Sequence, residues 1–134
     1  MANEVVAHYL DHRVVKGQSL DVDPVKPTCH IRTEDQGVIE VKLADLKALF
    51  FVRDLAGNPA KNDAAAVTPA DVRTRGAALI EVEFVDGERI LGLTVRYPPI
   101  KPYFFVLPAD DSSNNVRILV NRAAVRTMSQ PAAT

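Results

Sequence analysis

The sequence contains one cysteine, Cys29, and no tryptophan. A single cysteine permits no internal disulfide, and such sparse use is typical of a reducing compartment. The chain also lacks any apolar run near the roughly 20 residues that a membrane-spanning helix requires. Its first residues do not show the basic segment and apolar core of a signal peptide. These absences predict a cytoplasmic protein that does not bind membranes.

Charge of one sign is not in excess either, because 16 Lys and Arg residues stand against 17 Asp and Glu residues. Proteins that bind nucleic acids usually carry a basic excess, since contacts with phosphates supply much of their affinity. The balance makes nucleic acid an unfavoured partner, although a local basic patch is compatible with it. With 134 residues and 47% hydrophobic content, the chain suits one ordinary domain or two very small ones.

What the sequence does contain is a pattern that occurs twice. Residues 9–32 align with residues 84–107 without a gap, and residues 39–41 recur as residues 118–120. The identical pairs are Asp11/Asp86, Gly17/Gly92, Pro24/Pro99, Lys26/Lys101 and Pro27/Pro102. Because the matches fall on turn, bulge and apolar positions, they predict two halves with a shared backbone.

The first two strands of each copy are predicted to form a hairpin. A three-residue loop at Asp86-Gly87-Glu88 pairs Phe84 with Ile90. In both copies this register places apolar residues on one face of the hairpin. His12 stands where the second copy has Gly87. We therefore expect a positive φ at His12, which histidine tolerates at some energetic cost.

Gly17 and Gly92 mark a change in the apolar alternation. The next shared apolar positions are Leu20 and Val95, which do not follow the period of two in the preceding strand. A β-bulge or a sharp bend at each glycine would return these residues to the inner face. Such a bent strand is typical of a small sheet that curls into a barrel.

The segment from Phe84 to Gly92 resembles the opening motif of Sm-like barrels, whose geometry SH3-type barrels share. The resemblance implies an all-β fold of two tandem small Sm/SH3-like β-barrels packed together. We assign residues 4–52 to the first barrel and residues 79–128 to the second, with one helical turn near residues 44–46. Residues 53–78 are a connector with a short helix predicted over about 69–73, and residues 129–134 are a disordered tail.

An apolar seam is predicted between the two barrels. Residues 48–52 are continuously apolar, as in a strand that is covered on both faces. Tyr103, Phe105 and Leu107 point away from their own core, whereas the matching residues of the first copy are polar. We expect Phe50 and Phe51 to pack against this face. A homodimer built on the same surface is the alternative.

Catalytic chemistry is not favoured by any residue set. Cys29 next to His30 or His8 could form a nucleophile and base. Its repeat partner is Phe104, which is predicted to face inward, so Cys29 is better explained as a small buried hydrophobe. There is no phosphate-binding glycine loop and no Ser/His/Asp set. We predict that the protein is not an enzyme.

Metal and cofactor binding are also unfavoured. His8 and His12 have the spacing of a helical metal pair, but that spacing has no such meaning on a hairpin. The loop with Asp110, Asp111, Asn114 and Asn115 offers oxygen ligands for a cation. Loops rich in Asp and Asn are more often turns that bond to their own backbone. We predict no metal and no cofactor.

Three longer segments resemble a bacterial family of uncharacterised proteins. They are L-K-A-L-F-F-V-R-D-L-A-G-N-P (residues 46–59), D-G-E-R-I-L-G (residues 86–92) and F-F-V-L-P-A-D-D-S-S-N-N-V-R-I-L-V (residues 104–120). The similarity extends over roughly residues 5–128. This resemblance implies no activity, because the family has no assigned function. The chain departs from the family pattern at His12, where glycine is usual, and in its alanine-rich connector.

The function that we predict is a non-enzymatic protein-binding or adaptor module, such as one that acts in bacterial signalling. The alternative is binding of a nucleic acid or a cyclic nucleotide by an Sm-like or PilZ-like barrel. The candidate binding surface consists of Lys26, Pro27, Lys101, Pro102, Tyr103, Phe105, Asp110, Asp111, Asn114 and Asn115. Lysines and prolines of the two duplicated loops lead this set, because rigid loops with exposed charge are suited to recognition.

Overall fold

A computed structural model describes residues 3–53, 77–95, 97–109 and 115–130. The N-terminal half contains β1 (Asn3–Tyr9), β2 (Val14–Ser19), β3 (Thr28–Arg32), β4 (Val38–Lys42) and β5 (Leu46–Val52). The C-terminal half contains β6 (Ala78–Phe84), β7 (Arg89–Thr94), β8 (Tyr103–Pro108), β9 (Asn115–Asn121) and β10 (Val125–Ser129). A 3-10 turn precedes the last strand of each half, at Leu43–Asp45 and at Arg122–Ala124. The predicted all-β class is confirmed.

All ten strands belong to one antiparallel sheet with the order β10-β6-β7-β8-β9-β5-β1-β2-β3-β4. In the middle of the sheet, β5 pairs with β1 on one side and with β9 on the other. The sheet is not closed, and β10 and β4 are its outer strands. The structure does not show the two closed barrels that the sequence predicted, because the hydrogen bonds of β5 continue into the other half.

Several backbone hydrogen bonds recur at matching positions of the two halves. The Leu10 N–H donates to the Asp45 carbonyl at 2.9 Å, and the Val85 N–H donates to the Ala124 carbonyl at 2.9 Å. The Arg13 N–H donates to Asp11 Oδ1 at 3.1 Å, and the Glu88 N–H donates to Asp86 Oδ1 at 3.0 Å. The local backbone is therefore alike at the hairpin of each half. At the tip of that hairpin, His12 has a φ of 74° and Gly87 a φ of 92°, so the predicted positive φ at His12 is confirmed.

The turn of the second hairpin lies one residue earlier than predicted. Val82 pairs with Ile90, and the Phe84 N–H donates to the Glu88 carbonyl at 2.8 Å. The three-residue loop is therefore residues 85–87, and the predicted pairing of Phe84 with Ile90 is wrong. The turn is centred on Asp86 because its carboxylate accepts the Glu88 N–H and closes the loop.

Gly17 and Gly92 are required by close approach of the neighbouring strand. The register between β1 and β2 passes Gly17 without interruption, so no bulge is found there. A Cβ atom at Gly17 would lie 2.2 Å from the Arg32 carbonyl oxygen, and one at Gly92 would lie 2.2 Å from the Leu107 carbonyl oxygen. Glycine lets the backbones of these crossing strands touch.

Every residue of β5 is buried, as predicted for a strand covered on both faces. Ala48, Phe50 and Val52 pack with the hydrophobic cluster of the C-terminal half. Leu49 and Phe51 pack with the cluster of the N-terminal half. Alternate residues of β5 therefore contribute to two separate clusters, and this strand links the cores of the two halves.

The predicted seam lies within the chain. The Phe51 and Phe105 rings meet edge to face with their centroids 5.9 Å apart. The Arg117 guanidinium lies 4.3 Å from the Phe51 ring centre and 4.7 Å from that of Phe105. Two members of the predicted seam lie elsewhere: Phe50 packs in the other cluster, and Leu107 is 39% exposed. Aromatic and cation–π contacts thus join the halves on one face of the sheet.

Some predicted features lie outside the described residues. These are the short helix over about 69–73, most of the connector, and residues 131–134 of the tail. Ser129, the first residue of the predicted tail, is the last residue of β10 and pairs with Glu81. Among the described residues, no helix has the length and apolarity needed to cross a membrane.

Candidate binding surface

Two loops at matching positions carry the most exposed apolar side chains of the described residues. We call residues 20–27 the first proline loop and the described residues 95 and 97–102 the second proline loop. In the first, Leu20 is 77% exposed and Val25 is 73% exposed. In the second, Val95 is 87% exposed and Ile100 is 69% exposed. Leu20 aligns with Val95, and Val25 aligns with Ile100, so the same positions are apolar and exposed in both halves.

The sequence predicted an inward orientation for Leu20 and Val95, and this is wrong. The strands end one residue earlier, at Ser19 and Thr94, which are themselves buried. The Ser19 hydroxyl donates to Asp21 Oδ1 at 3.1 Å, which satisfies its buried oxygen. Ser19 and Thr94 therefore occupy the last inward-facing positions of their strands. Leu20 and Val95, which follow them, lie beyond the strands and are exposed.

The first proline loop is anchored at both ends. Val22 packs against the cluster of the N-terminal half. The Val25 N–H donates to Asp23 Oδ1 at 2.9 Å, which forms a tight turn. The carbonyl of Pro27 accepts the Leu43 N–H at 2.9 Å. These contacts fix the backbone and leave the Val25 side chain at the surface.

The second proline loop is anchored in the same places. Tyr97 packs against the cluster of the C-terminal half, and its hydroxyl donates to the Met128 carbonyl at 3.3 Å. Arg122 holds the far end, because its backbone N–H donates to the Pro102 carbonyl at 2.9 Å and its Nε donates to the Pro99 carbonyl at 3.3 Å. A loop that is ordered in advance loses little conformational entropy when it binds a partner.

Each proline loop also presents one lysine, as predicted. Lys26 and Lys101 are exposed, and so are Pro27 and Pro102. Within the described part of the chain, neither lysine ammonium forms an ion pair. An unpaired cation beside an exposed aliphatic side chain is suited to a partner that offers both a carboxylate and an apolar group.

The other predicted surface residues lie in different surroundings. Tyr103 and Phe105 are partly buried against the cluster of the N-terminal half, as part of the seam. Asn115 is the first residue of β9 and pairs with Val52. Asp110, Asp111 and Asn114 lie outside the described residues. The structure therefore groups the predicted lysines and prolines with apolar neighbours that the sequence had not selected.

A buried lysine, Lys47, joins the two halves through ion pairs. The Lys47 Nζ lies 3.0 Å from Asp86 Oδ2, also bonds Glu88, and sits 5.1 Å from the centre of the Phe84 ring. Burial alone would lower the pKa of Lys47, but the hydrogen bonds that its ammonium donates to Glu88 and Asp86 outweigh burial, so the pKa is raised. Lys47 is therefore a protonated clamp between β5 and the hairpin turn that follows β6, and not a nucleophile.

Neither Cys29 nor His8 is activated for catalysis. Cys29 is fully buried, and burial raises the pKa of its thiol to about 11. Burial, followed by the charge of Lys47, lowers the pKa of His8, whose ring packs 4.6 Å from that of Phe50. Within residues 3–53, 77–95, 97–109 and 115–130, no group of three His, Cys, Asp or Glu side chains is placed to hold a metal ion.

The Lys47 clamp predicts a specific loss of stability in acid. The Glu88 N–H and then Lys47 hold the pKa of Asp86 below its ordinary value, so Asp86 stabilises the fold above that value. As pH falls through the lowered pKa, this contribution is lost. We expect the free energy of unfolding to decline between about pH 5 and pH 2, and to decline less in Lys47→Met. Urea denaturation at several pH values in that range measures the free energy of unfolding of both proteins.

A matched control for the clamp is available in the first hairpin. Arg13 pairs with Asp11 at 2.8 Å, but both side chains are largely exposed. Because exposed ion pairs contribute little to stability, Arg13→Met should leave the acid profile close to that of the wild type. Equal profiles for wild type and Lys47→Met would contradict the clamp.

An open groove of about 750 Å³ lies between β2 and the loop that follows β3. Its walls include Lys16, Arg32, Glu34 and Asp35, all of which are exposed. Charges of both signs at the surface provide no convergent set for one ligand. The proline loops are the better candidate.

One protein-family model matches residues 1–130, and it is described as "Family of unknown function (DUF6982)". No curated protein matches the sequence, and no solved structure matches it. The match covers both halves, both proline loops and the seam.

Proposed function

The chain belongs to this family of unknown function, and we propose that it is a non-enzymatic protein-binding module that contacts its partner through the two proline loops. One observation carries the proposal. The four most exposed large apolar side chains of the described residues are Leu20, Val25, Val95 and Ile100. They form two matching pairs, one pair in each half.

These side chains have no role in the core that would explain their apolar character. Other outward positions differ between the halves: His30 is exposed where Phe105 packs in the seam. The loop positions, in contrast, are aliphatic in both halves. Burying one such side chain against a partner contributes about 1.5–3 kcal/mol. Aliphatic anchors on ordered loops are therefore an effective contact surface.

The same proposal treats each half as one Sm/SH3-like unit. The strand orders β5-β1-β2-β3-β4 and β10-β6-β7-β8-β9 support it, because they are equivalent when each half is numbered from its first strand. The recurring hydrogen bonds at the hairpins and proline loops support it as well. In this description the module is a joined pair of units that resides in the cytoplasm.

Nucleic acid or nucleotide binding is less well supported. By sequence, the first proline loop carries Asp21 and Asp23 beside its single lysine, the second carries only Arg96 and Lys101 as cations, and the whole chain has no basic excess. Sequence-independent binding to phosphates requires several cations along one surface. The apolar side chains at the loop tips are better matched to a protein surface.

A selection experiment tests the proposal. Short random peptides displayed on phage are panned on the full chain and, in parallel, on a variant with Leu20, Val25, Val95 and Ile100 all changed to serine. We expect peptides that are enriched on the wild type and not on the variant. The control is Val14→Ser with Val38→Ser, which removes exposed apolar side chains outside the loops (48% and 59% exposed) and should keep the enrichment.

The outcomes are distinct. No enrichment on the wild type, or equal enrichment on the loop variant, contradicts the proposal. Labelled single-stranded oligonucleotides at low salt provide the competing test, and binding that depends on Lys26 and Lys101 without any peptide binding would replace a protein partner with nucleic acid.

A further inference from the structure

We infer that the open groove beside β2 is a second binding site, which takes an extended peptide segment as an added strand. The groove lies between β2 and residues 33–36, the turn that follows β3, and its volume is about 750 Å³. It is separate from the proline loops of the proposed function, and its recognition rests on the backbone of β2 and not on exposed apolar side chains.

Alternate residues of β2 direct their backbone groups away from β1. The Tyr9 N–H donates to the Arg13 carbonyl at 2.9 Å, and the pairing of β1 with β2 continues in the same register without a shift. In an antiparallel ladder, residues that bond to the neighbouring strand alternate with residues that do not. Val15 therefore bonds to β1, whereas the N–H and carbonyl groups of Val14 and Lys16 face the groove.

The next strand leaves this edge of β2 open. β3 pairs with β2 at Arg32, which lies opposite Gln18. In the described part of the chain, no backbone group of residues 33–36 bonds to Val14 or Lys16. Each of these two residues therefore presents one N–H donor and one carbonyl acceptor to the groove. An unpaired edge of this kind binds an extended peptide through main-chain hydrogen bonds.

The C-terminal half shows the same position in a closed form. Lys16 matches Leu91, whose carbonyl accepts the Ala109 N–H at 2.9 Å. Ala109 is 5% exposed, whereas Glu34, at the matching position of the N-terminal half, is exposed. The chain itself therefore covers this edge in the second half and leaves the edge free in the first.

Thr33 and Pro108, which stand at matching positions, account for this difference. The Thr33 N–H donates to the Gly37 carbonyl at 2.8 Å, and the Gln36 N–H donates to Thr33 Oγ1 at 2.9 Å. These bonds close a turn directly after β3. Pro108 has neither the N–H nor the hydroxyl that such a turn uses, and β8 continues to Pro108, so that Ala109 reaches β7.

The charges along the groove favour a segment that carries both an acidic and a basic residue. Lys16 and Arg32 lie on the strands, and Glu34 and Asp35 lie on the turn. All four are exposed, and none has an ion-pair partner among the described residues. They do not converge on a small molecule, but an extended segment meets them at successive positions. Because opposite charges on paired strands attract, we expect an acidic side chain opposite Lys16 and a basic one beside the turn.

Peptide selection on the full chain tests the inference. Random peptides displayed on phage are panned on the loop variant with four serines, so that the proline loops do not contribute. We expect enriched peptides that Lys16→Pro no longer binds, because proline removes the N–H that faces the groove and keeps the bonds between β2 and β1. Lys16→Met is the matched control. It keeps this N–H and should weaken binding only about two- to fivefold, through the lost charge.

The folding of the proline variant is checked against a neighbour. Val15→Pro removes a hydrogen bond to β1, so its thermal midpoint should fall further than that of Lys16→Pro. An equal or larger fall in Lys16→Pro would show that the Lys16 N–H does not face the groove, which overturns the inference.

A second measurement uses the wild-type chain and does not depend on any variant. Synthetic copies of the strongest peptide, each with one N-methyl group on its backbone, are titrated by calorimetry. Only every second N–H of an added strand faces β2. N-methylation should therefore weaken binding by about tenfold or more at alternate positions and be tolerated at the positions between them.

The outcomes separate this inference from the proposed function. No enrichment on the four-serine variant, or enrichment that persists in Lys16→Pro, overturns the groove and leaves the proline loops as proposed. N-methylation effects without a period of two residues overturn strand addition. Selected peptides without an acidic residue, or equal affinity for Lys16→Met and its parent, overturn the assigned ligand chemistry. Repeating the loop selection in the Lys16→Pro background excludes groove binders, so a failure of the loops is seen on its own.

Discussion

Gly92→Ala is expected to lower the free energy of unfolding by about 3 kcal/mol or more. The new methyl group would lie 2.2 Å from the Leu107 carbonyl oxygen and 2.5 Å from a Val106 methyl group. Because the nearest atom is backbone, no rotamer change relieves the overlap, and β7 has to separate from β8. Gly17→Ala should behave alike, since its Cβ atom would meet Arg32 in the same way. Chemical denaturation of the wild type and both variants, fitted with one common m value, measures both changes in the free energy of unfolding.

Gly37→Ala is the matched control for steric overlap. Gly37 has a φ of 70°, but a Cβ atom there would meet nothing within 4 Å. Its substitution should therefore cost only the backbone penalty of about 1–2 kcal/mol. If Gly92→Ala proves no more destabilising than Gly37→Ala, the close contact between β7 and β8 is not what requires glycine.

Phe51→Ala is expected to destabilise the chain by about 3–5 kcal/mol. Phe51 is 4% exposed, and its ring contacts Phe105 and the Arg117 guanidinium, which both belong to the C-terminal half. Truncation leaves a cavity at the junction and removes the ring on which Arg117 lies. The loss should appear in equilibrium unfolding, and hydrogen exchange should become faster in both β5 and β9.

Gln130→Ala is the control for Phe51→Ala, because Gln130 occupies the matching position after the outer strand and is exposed. Its effect should remain within about 0.5 kcal/mol. Faster exchange in β5 alone, with β9 unchanged, would show that Phe51 supports its own half and not the junction.

Local chemistry explains which features could be predicted from the sequence. Asp86 beside Gly87 indicates a tight turn, and the identity of Gly17 and Gly92 indicates a special backbone position, although a β-bulge or bend was predicted there and the structure shows close approach of the next strand. The continuous apolar run at residues 48–52 indicates a strand buried on both faces. Each signal is confined to a few neighbouring residues, and each concerns a constraint that a single backbone segment imposes.

Features that depend on distant partners could not be predicted. The position of the hairpin loop was wrong by one residue, because apolar residues at Phe84 and Ile90 favoured a register that the Asp86 carboxylate overrides. The pairing of β5 with β9 joins segments that are far apart in sequence, and no local pattern specifies it. Separate closed barrels were predicted for that reason.

The candidate surface was found only in part. Lys26 and Lys101 were selected because they are repeated and charged, but Leu20 and Val95 were assigned to the core because they are apolar. The signal that could have corrected this was the polar pair Ser19 and Thr94, which continues the inner alternation. An aliphatic residue that directly follows the last inward-facing residue of a strand, in both copies, indicates an exposed side chain that can contact a partner.

The central position of β5 has a consequence for synthesis on the ribosome. The strand is translated early, yet its partner β9 emerges only after the connector and three further strands. Until then Phe50 has no C-terminal cluster to pack against, and β5 remains an apolar edge strand of the nascent N-terminal half, unpaired on one side. The core around β5 is therefore completed only after β9 has been synthesised, and a ribosome that stalls in the connector would leave an aggregation-prone product.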